Sequence, residues 1–403
     1  MLTKVKLFSL ICLLALPACV TLAQERTVML PRTTSAQESE EIVRVNTRVV
    51  FVDTLVRDKK TGQPVRNLSL NNFRVLDNGK PRELSYFSRE GLTRRPLALV
   101  LVLDLFTSGI LYLEKPEVME RIISALDKLQ PEDEVAVMQT WYEPEATPLT
   151  FQIKSRMIEG LTRDRAKTFA ALRGVQQFAK QNLPQTKVFF SLKEAMKATW
   201  KDEIFVGIST AGGATPTEPP IKTTIAPDFE YMIDKAPLLA RERSDSQVVI
   251  VEVTDDLGSE RFGKSTEKAG KLVASGVTVS GLVVKKNFMD KAVNITGTIL
   301  SPLLGMRFHT TSYYSKQTGG EVATVGNPEE FAAAVDTIIG GIAARYSLGF
   351  ALEESEQNDG RMHKLEVKVK ARDERGKTRK LTVNARKGYT PKADRLESSE
   401  KKK

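Results

Sequence analysis

The sequence predicts an α/β protein with a doubly wound, mostly parallel sheet, to which the N- and C-terminal segments add a β-sandwich-like unit. Three observations lead to this prediction. In the middle of the chain, continuous apolar runs alternate with helical patterns, as in strands that are covered on both faces by helices. On either side of this region, apolar residues alternate with polar ones, as in half-exposed strands. The length of 403 residues, 41% of them apolar, suits two or three domains with a sizeable core.

Residues 1–23 have the pattern of a signal peptide. Two lysines precede an apolar run from Leu7 to Ala18, which is too short to span a bilayer, and small residues lead up to Gln24. This pattern predicts export to the periplasm, the cell surface or the medium, with Gln24 as the first residue of the mature chain. An alternative is a lipobox that ends at Cys19, in which case a lipid on Cys19 anchors the chain to a membrane.

The next two segments are a linker and an N-terminal β unit. Residues 24–40 are polar and show no periodicity, which predicts the linker. In the β unit, residues 41–91, Asn78-Gly79 supplies the positive φ angles of a tight hairpin turn. The strands of this predicted hairpin are Phe73–Leu76 and Leu84–Phe87.

Residues 92–345 are predicted to form the α/β domain, because strand and helix patterns alternate along them. The predicted buried strands are the apolar runs Leu97–Leu103, Val135–Met138, Val248–Val253 and Val277–Val284. The predicted helices are Glu117–Leu129, Arg163–Lys180, Leu192–Trp200, Thr266–Ala274 and Pro328–Arg345. Residues 201–246 fit neither pattern well, and we expect them to be an exposed excursion from the domain.

Residues 346–391 are a C-terminal β segment. Apolar residues alternate along Leu365–Val369 and Leu381–Ala385, which predicts a hairpin with its turn at Arg375-Gly376. Because β segments bracket the α/β domain, we expect the C-terminal one to pack with the N-terminal β unit. Residues 392–403 are basic and polar and are expected to be disordered.

Composition excludes several classes of function. The formal charge of +10 comes from 60 Lys+Arg against 50 Asp+Glu spread along the chain, which suits an acidic partner or an anionic surface. The basic runs lack regularly interleaved aromatic residues, so we expect no nucleic-acid binding. Only two histidines are present, and both cysteines, Cys12 and Cys19, lie in the leader, so the rest of the chain has no cysteine for a disulfide, a zinc site or a nucleophile. We therefore expect a protein that is not an enzyme.

Two predicted strands end in carboxylates. Leu97–Leu103 runs into Asp104, and Val248–Val253 is followed by Thr254 and Asp255. Because the carboxyl ends of parallel strands share one edge of a sheet, where ligands bind, these side chains should converge there. Carboxylate and hydroxyl oxygens are ligands of hard cations such as Mg²⁺. The alternative is that each aspartate caps the following helix.

Gly258–Ser265 matches the phosphate-binding pattern GxxxxGK[ST] and follows a predicted strand. On this match, the alternative function is a nucleotide-binding enzyme. Two features argue against it: Glu260 would place a negative charge beside the phosphates, and no later strand ends in an aspartate that could hold Mg²⁺. The other interpretation is a polar loop that leads into a helix.

The order and spacing of several segments resemble a known family. The segments are VRVNTRVVFVDTLVRD, RPLALVLVLDLFTSG, LTRDRAKTFAAL, VVIVEVTDDLGS, GVTVSGLVV, QTGGEVATV and IAARYSLGF. Together they resemble the von Willebrand factor A domain, and more closely the secreted proteins related to it that are described from Acidobacteria. The resemblance covers nearly all of the mature chain. It implies a von Willebrand A-like, Rossmann-type sheet that binds a protein partner or an extracellular ligand, as in cell adhesion at the bacterial envelope.

The resemblance also implies a metal-ion-dependent adhesion site, written Asp-x-Ser-x-Ser with a threonine and an aspartate from later loops. Asp104 and Ser108 match the first and last positions, and Asp255 matches the later aspartate. The threonine has no clean counterpart, and Ser191 is the best candidate for its position. Phe106 replaces the middle serine, and phenylalanine cannot ligate a metal. We therefore expect a degenerate site that binds Mg²⁺ weakly, if it binds the ion at all.

Overall fold

The computed structural model describes residues 48–89, 94–105, 107–144, 151–187, 227–256, 259–284, 305–357, 359–373 and 375–391. The predicted signal peptide, the linker, the helix at Leu192–Trp200 and the basic tail lie outside these ranges. The described residues form a mixed α/β structure with one largely parallel sheet.

The strands are, in chain order, β1 (Val49–Asp58), β2 (Phe73–Asp77), β3 (Lys80–Arg82), β4 (Tyr86–Ser88), β5 (Leu97–Asp104), β6 (Glu134–Pro144), β7 (Phe151–Thr162), β8 (Gln247–Thr254), β9 (Ser259–Arg261), β10 (Thr278–Val284), β11 (Met306–Phe308), β12 (Val322–Val325), β13 (Tyr346–Ala351), β14 (His363–Val369), β15 (Leu381–Ala385) and β16 (Gly388–Tyr389). The helices are α1 (Thr107–Leu113), α2 (Pro116–Asp127), α3 (Arg165–Lys187), α4 (Pro227–Glu242), α5 (Phe262–Ser275), α6 (Thr310–Thr318) and α7 (Pro328–Ala343).

The central sheet has six strands in the order β12-β10-β8-β5-β6-β7. Its neighbouring strands are parallel except for β7, which runs antiparallel to β6 at the edge. The prediction of an α/β fold with a mostly parallel sheet is confirmed. The four apolar runs became β5, β6, β8 and β10, whose fully buried residues explain the lack of alternation.

Helices cover both faces of this sheet. On one face, α1, α2, α3 and α7 pack on a layer that includes Leu99, Leu101 and Val251. On the other face, α4, α5 and α6 pack on a layer that includes Val100 and Ile250. Alternate residues of each strand belong to the two layers, because successive side chains point to opposite faces of the sheet.

The expectation that residues 201–246 are an exposed excursion is wrong for their C-terminal part. Residues 227–242 form α4, in which Met232, Ile233 and Ala236 are buried against the central sheet. An internal proline, Pro237, weakened the helical signal in the sequence. Residues 201–226 lie outside the described ranges.

Strands from the N-terminal and C-terminal segments pair with each other. β1 pairs with β13 and β15, and β2 pairs with β14. The result is two four-stranded sheets, β15-β1-β13-β4 and β16-β14-β2-β3, whose apolar residues share one cluster. That they form a separate sandwich-like domain with the boundaries given above stays a prediction.

Both predicted hairpins are partly wrong. Asn78 and Gly79 do adopt positive φ angles of 48° and 83°, but the second strand of that hairpin is β3, and Phe87 lies in β4, which pairs with β13. There the ring of Phe87 stacks on Tyr346, which draws this stretch into the other sheet. Likewise, β14 and β15 diverge into different sheets after a single bridge between Arg372 and Thr378.

Two ion pairs join these sheets to the α/β part. Arg57 of β1 binds Glu321, next to β12, with Nε–Oε1 and Nη2–Oε2 distances of 2.5 and 2.7 Å. Asp53 of β1 binds Arg95, just before β5, at 2.7 Å. The forked contact between Arg57 and Glu321 fixes orientation as well as distance. No helix in the described part of the chain is both long and apolar enough to cross a membrane.

Candidate functional site

The winding of the central sheet reverses between β5 and β8. The chain passes from β5 to β6 and β7 on one side, and then crosses to β8, β10 and β12 on the other. Such a switch point leaves a crevice at the carboxyl ends of the strands, where open α/β sheets bind their ligands. Asp104 and Thr254 are the last residues of β5 and β8, so they lie at this position.

Asp104 is held by hydroxyl groups from both neighbouring strands. Thr140 of β6 donates to its Oδ1 at 3.2 Å, and Thr254 of β8 donates to its Oδ2 at 2.8 Å. The residue is only 4% exposed. Buried polar groups need such partners, so the three side chains form a fixed polar unit at the sheet edge.

Glu252 brings a second carboxyl group to the same face of the sheet. Its neighbour on β10 is Gly281, where a Cβ atom would come within 2.7 Å of Thr311 Cγ2. The missing side chain leaves room for Thr311, whose hydroxyl donates to Glu252 Oε2 at 2.7 Å. Burial raises the pKa of Glu252 well above its ordinary value, against the effect of this hydrogen bond, and nearby aspartates raise it further.

Asp256 caps helix α6. Its Oδ1 accepts from the backbone N–H of Thr311 at 2.9 Å, and its Oδ2 accepts from the hydroxyl of Ser312 at 2.6 Å. The pKa of Asp256 is raised above its ordinary value, because burial outweighs these hydrogen bonds and nearby His309, which lower it. The capping alternative concerned Asp104 and Asp255, so the cap that Asp256 provides for α6 was not predicted from the sequence.

His309 completes the turn into α6. It has a left-handed φ of 58°, and its Nδ1 lies 3.0 Å from the backbone carbonyl oxygen of Asp256. A carbonyl only accepts, so Nδ1 carries the proton in this pair. Nε2 is buried and has no hydrogen-bond partner among the described residues. The imidazole therefore ties α6 to the end of β8 through one nitrogen.

Of the four predicted metal ligands, the structure places the side chains of two. Asp104 and Asp255 are buried at the same sheet edge, and both carboxylates help to raise the pKa of Glu252. Only the backbone of Ser108 is described, in α1, while Phe106 and Ser191 lie outside the described residues.

The described residues do not make a complete metal site. Their oxygen chemistry suits a hard cation, but no three carboxylate, imidazole or thiol groups among them are placed to hold one ion. The two oxygens of Asp104 are also occupied by hydroxyl donors.

The phosphate-loop match does not form a loop across its described residues. Residues 259–261 are strand β9, which pairs with β11, and α5 begins at Phe262. Glu260 points into the core, where it forms an ion pair with Lys268 at 2.6 Å and accepts a hydrogen bond from Tyr314 at 2.6 Å. Burial and this hydrogen bond raise the pKa of Tyr314. No described contact supports the nucleotide-binding alternative.

An arginine beside this segment was missed by the sequence analysis. Arg307 of β11 lies 3.6 Å from the ring centroid of Tyr313 and 5.0 Å from that of Phe262. Its Nε donates to the hydroxyl of Ser265 at 2.9 Å. β11 is only three residues long, so its sequence carried too little pattern to reveal this arrangement.

Neither a family model nor a curated protein matches the chain. Among solved structures, a von Willebrand factor type A protein from Catenulispora acidiphila is 10% identical with a TM-score of 0.37, and the match covers 80% of this chain and 76% of that one. The human COPII-coat protein Sec24c is 10% identical with a TM-score of 0.32, covering 73% of this chain and 44% of that one. This chain therefore matches less than half the length of Sec24c.

Proposed function

We propose that this chain is an exported protein-binding module, with an adhesion-type role at the bacterial envelope, that contacts its partner through the C-terminal edge of the central sheet. One observation carries the proposal: the buried, hydroxyl-bound Asp104 lies at the point where the winding of the sheet reverses. This is where open α/β sheets bind ligands. The sequence resemblance to von Willebrand A proteins supports the same surface.

Binding rather than catalysis suits the described polar groups. His363 lies between Asp77 and Asp359, at 3.1 and 2.8 Å, and His309 pairs with a backbone carbonyl. Each imidazole is thus used to hold the fold together. A general base needs to reach the proton that it abstracts, and these contacts favour a structural role for both residues.

The binding edge can be tested by blocking it. The only cysteines of the chain are Cys12 and Cys19 in the leader. When both are replaced by serine, a single new cysteine can be labelled at a chosen position. Polyethylene glycol coupled to the cysteine of Arg261→Cys lies at the C-terminal edge. Coupled to Glu132→Cys, it lies on an exposed loop at the N-terminal edge. We expect proteins retained from an envelope extract to be lost with the first adduct and kept with the second. Equal retention by both adducts would refute the proposal.

We also propose that Mg²⁺ binds the unmodified edge weakly, because Phe106 stands where the resemblance places a serine ligand. Phe106→Ser should create measurable Mg²⁺- or Mn²⁺-dependent stabilisation, since a bound ligand stabilises the folded state by an amount that grows with the logarithm of its affinity. Adding Asp104→Ala or Asp255→Ala should abolish this gain in a calorimetric titration. Tight binding by the unmodified chain, or no binding by Phe106→Ser, would contradict this.

Export is proposed from the leader pattern. Mass analysis of the protein isolated from its cells should find Gln24 first, or else a lipidated Cys19. An intact Met1 on cytosolic protein would contradict export.

A further inference from the structure

Arg307 is held in a fixed orientation without a carboxylate partner among the described residues. The rings of Phe262 and Tyr313 contact its guanidinium group, and Ser265 accepts from its Nε. No described residue pairs with its two terminal nitrogens. The side chain is half-buried, so solvent reaches part of it.

This arrangement differs from that of several other partly buried arginines in the chain. Those that pair with a carboxylate through their guanidinium groups include Arg57, Arg82, Arg94, Arg95, Arg243 and Arg379. The carboxylate nearest to Arg307 along the β9–β11 pair is Glu260, its partner in register. Glu260 uses one oxygen on Lys268 and the other on Tyr314. As far as the described residues go, Arg307 therefore keeps its capacity for a forked carboxylate contact.

The surroundings of Arg307 favour an anion. Phe262, on which the guanidinium stacks, is the first residue of α5, and the N-terminal end of a helix carries a partial positive charge. Arg261 precedes α5 and Lys264 lies in its first turn, and both side chains are exposed. These charges would attract an acidic partner and steer its approach.

We infer that Arg307 is a subsite for a carboxylate group of an acidic protein partner, which it grips with its terminal nitrogens while Phe262 and Tyr313 hold it in place. This inference rests on the proposed function and names the chemistry of the partner. Guanidinium matches carboxylate geometry through two parallel hydrogen bonds. Because the side chain is already immobilised, binding loses less rotamer entropy than it would with a free arginine. The direct contact requires no metal ion.

The test uses a labelled peptide of alternating glutamate and glycine, and the same peptide with glutamine in place of glutamate. The unmodified 403-residue chain should bind the glutamate peptide in a salt-dependent manner, and bind the glutamine peptide far more weakly. Arg307→Gln should weaken binding about tenfold or more, since a forked, charge-assisted contact is lost. Arg375→Gln removes the same charge from an exposed turn and should change affinity by no more than about twofold.

Arg307→Lys separates geometry from charge. Lysine keeps the charge but lacks the fork, so most of the affinity should be lost while the thermal midpoint shows that the protein still folds. Equal weakening by Arg307→Gln and Arg375→Gln would overturn the inference, and so would a failure of the unmodified chain to bind the glutamate peptide. Either result would leave the proposed function intact if the adduct at position 261 still blocks partner retention. If the adduct at position 261 still retained the partner from an envelope extract, the proposed function itself would be refuted.

Discussion

Glu252 places a carboxyl group inside an otherwise apolar strand, with 5% of its surface exposed. Burial of a charge without a counter-ion is unfavourable, and it raises the pKa of this group. A carboxyl whose folded pKa lies above the unfolded value of about 4.3 stabilises the fold fully only below that value. This stability is then lost as the pH rises through the folded pKa.

Glu252→Gln should therefore raise the free energy of unfolding at pH 7 by about 1 kcal/mol, because the amide keeps an oxygen for Thr311 and removes the buried charge. Urea unfolding from pH 4 to pH 8 measures it: the wild type should lose stability across the range and the variant should lose less. Glu132→Gln, at an exposed position, is the control. Destabilisation by Glu252→Gln would mean that a bound cation balances the carboxylate.

His363 gives a second pH dependence, far from the sheet edge. Burial lowers the pKa of His363, but hydrogen bonds to Asp359 and Asp77 outweigh this effect and raise it above the ordinary value. Tyr389 also donates to Asp77, and its hydroxyl lies 3.1 Å from His363 Nδ1. Because the folded pKa is raised, the stabilisation is full below about pH 6.5 and is lost as the pH rises through the folded value.

We expect the free energy of unfolding of the wild type to fall between about pH 6 and pH 8.5, with His363 contributing on the order of 1 kcal/mol to that fall, and His363→Gln to remove this contribution. An unchanged pH profile in His363→Gln would contradict this account of the cluster.

The sequence was informative about residues that end a strand and uninformative about residues that meet across the fold. Asp104 could be predicted as a site residue because it ends an apolar run. Glu252 lies inside such a run, and its partner Thr311 comes 59 residues later from the start of α6. Asp256 was not singled out from the sequence, since nothing local indicates that it caps a helix of another segment.

At the scale of elements, α6 and β10 are fitted to each other at Gly281. A Cβ atom there would come within 2.7 Å of Thr311 Cγ2, so a larger residue must displace the Thr311 side chain or α6 itself. Gly281→Ala should lower the free energy of unfolding by about 1–3 kcal/mol, as overpacking of a core does. Gly270→Ala in α5, where nothing lies within 4 Å of the new Cβ, should raise it by up to about 1 kcal/mol.

Thermal or urea unfolding of both variants decides this prediction. Equal stability of Gly281→Ala and the wild type would show that Thr311 can move without loss. In that case the hydrogen bond from Thr311 to Glu252 would contribute little to the edge.

Element types were easier to predict than strand partners. The runs that became β5, β8 and β10 are buried on both faces, so they appear in the sequence as short, continuous apolar runs between helical patterns, which predicted strands. Strand partners were harder to predict, because β14 pairs with β2 and β15 pairs with β1, which lie about 300 residues earlier in the chain. The long edge strand β7 was missed because its residues are largely polar and partly exposed.

At the scale of the whole molecule, the N-terminal β strands depend on the end of the chain. A chain that stops after Leu352 lacks β14, β15 and β16, so β1 loses one of its two partners and β2 loses the longer of its two. The exposed edges and apolar faces should cause aggregation. A chain that stops after Pro391 keeps all of these strands and should unfold like the wild type. Soluble yield and urea unfolding compare the two. A soluble, fully cooperative protein ending at Leu352 would contradict the dependence.

The central claim, that the partner binds at the C-terminal edge of the sheet, is tested most directly by photo-cross-linking in the cells that produce the protein. A photoreactive phenylalanine replaces Arg261 at that edge, or Glu132 at the opposite edge, both of which are exposed. The account predicts a discrete cross-linked partner from position 261 that is absent from position 132. The same partner from both positions, or from position 132 alone, would contradict it.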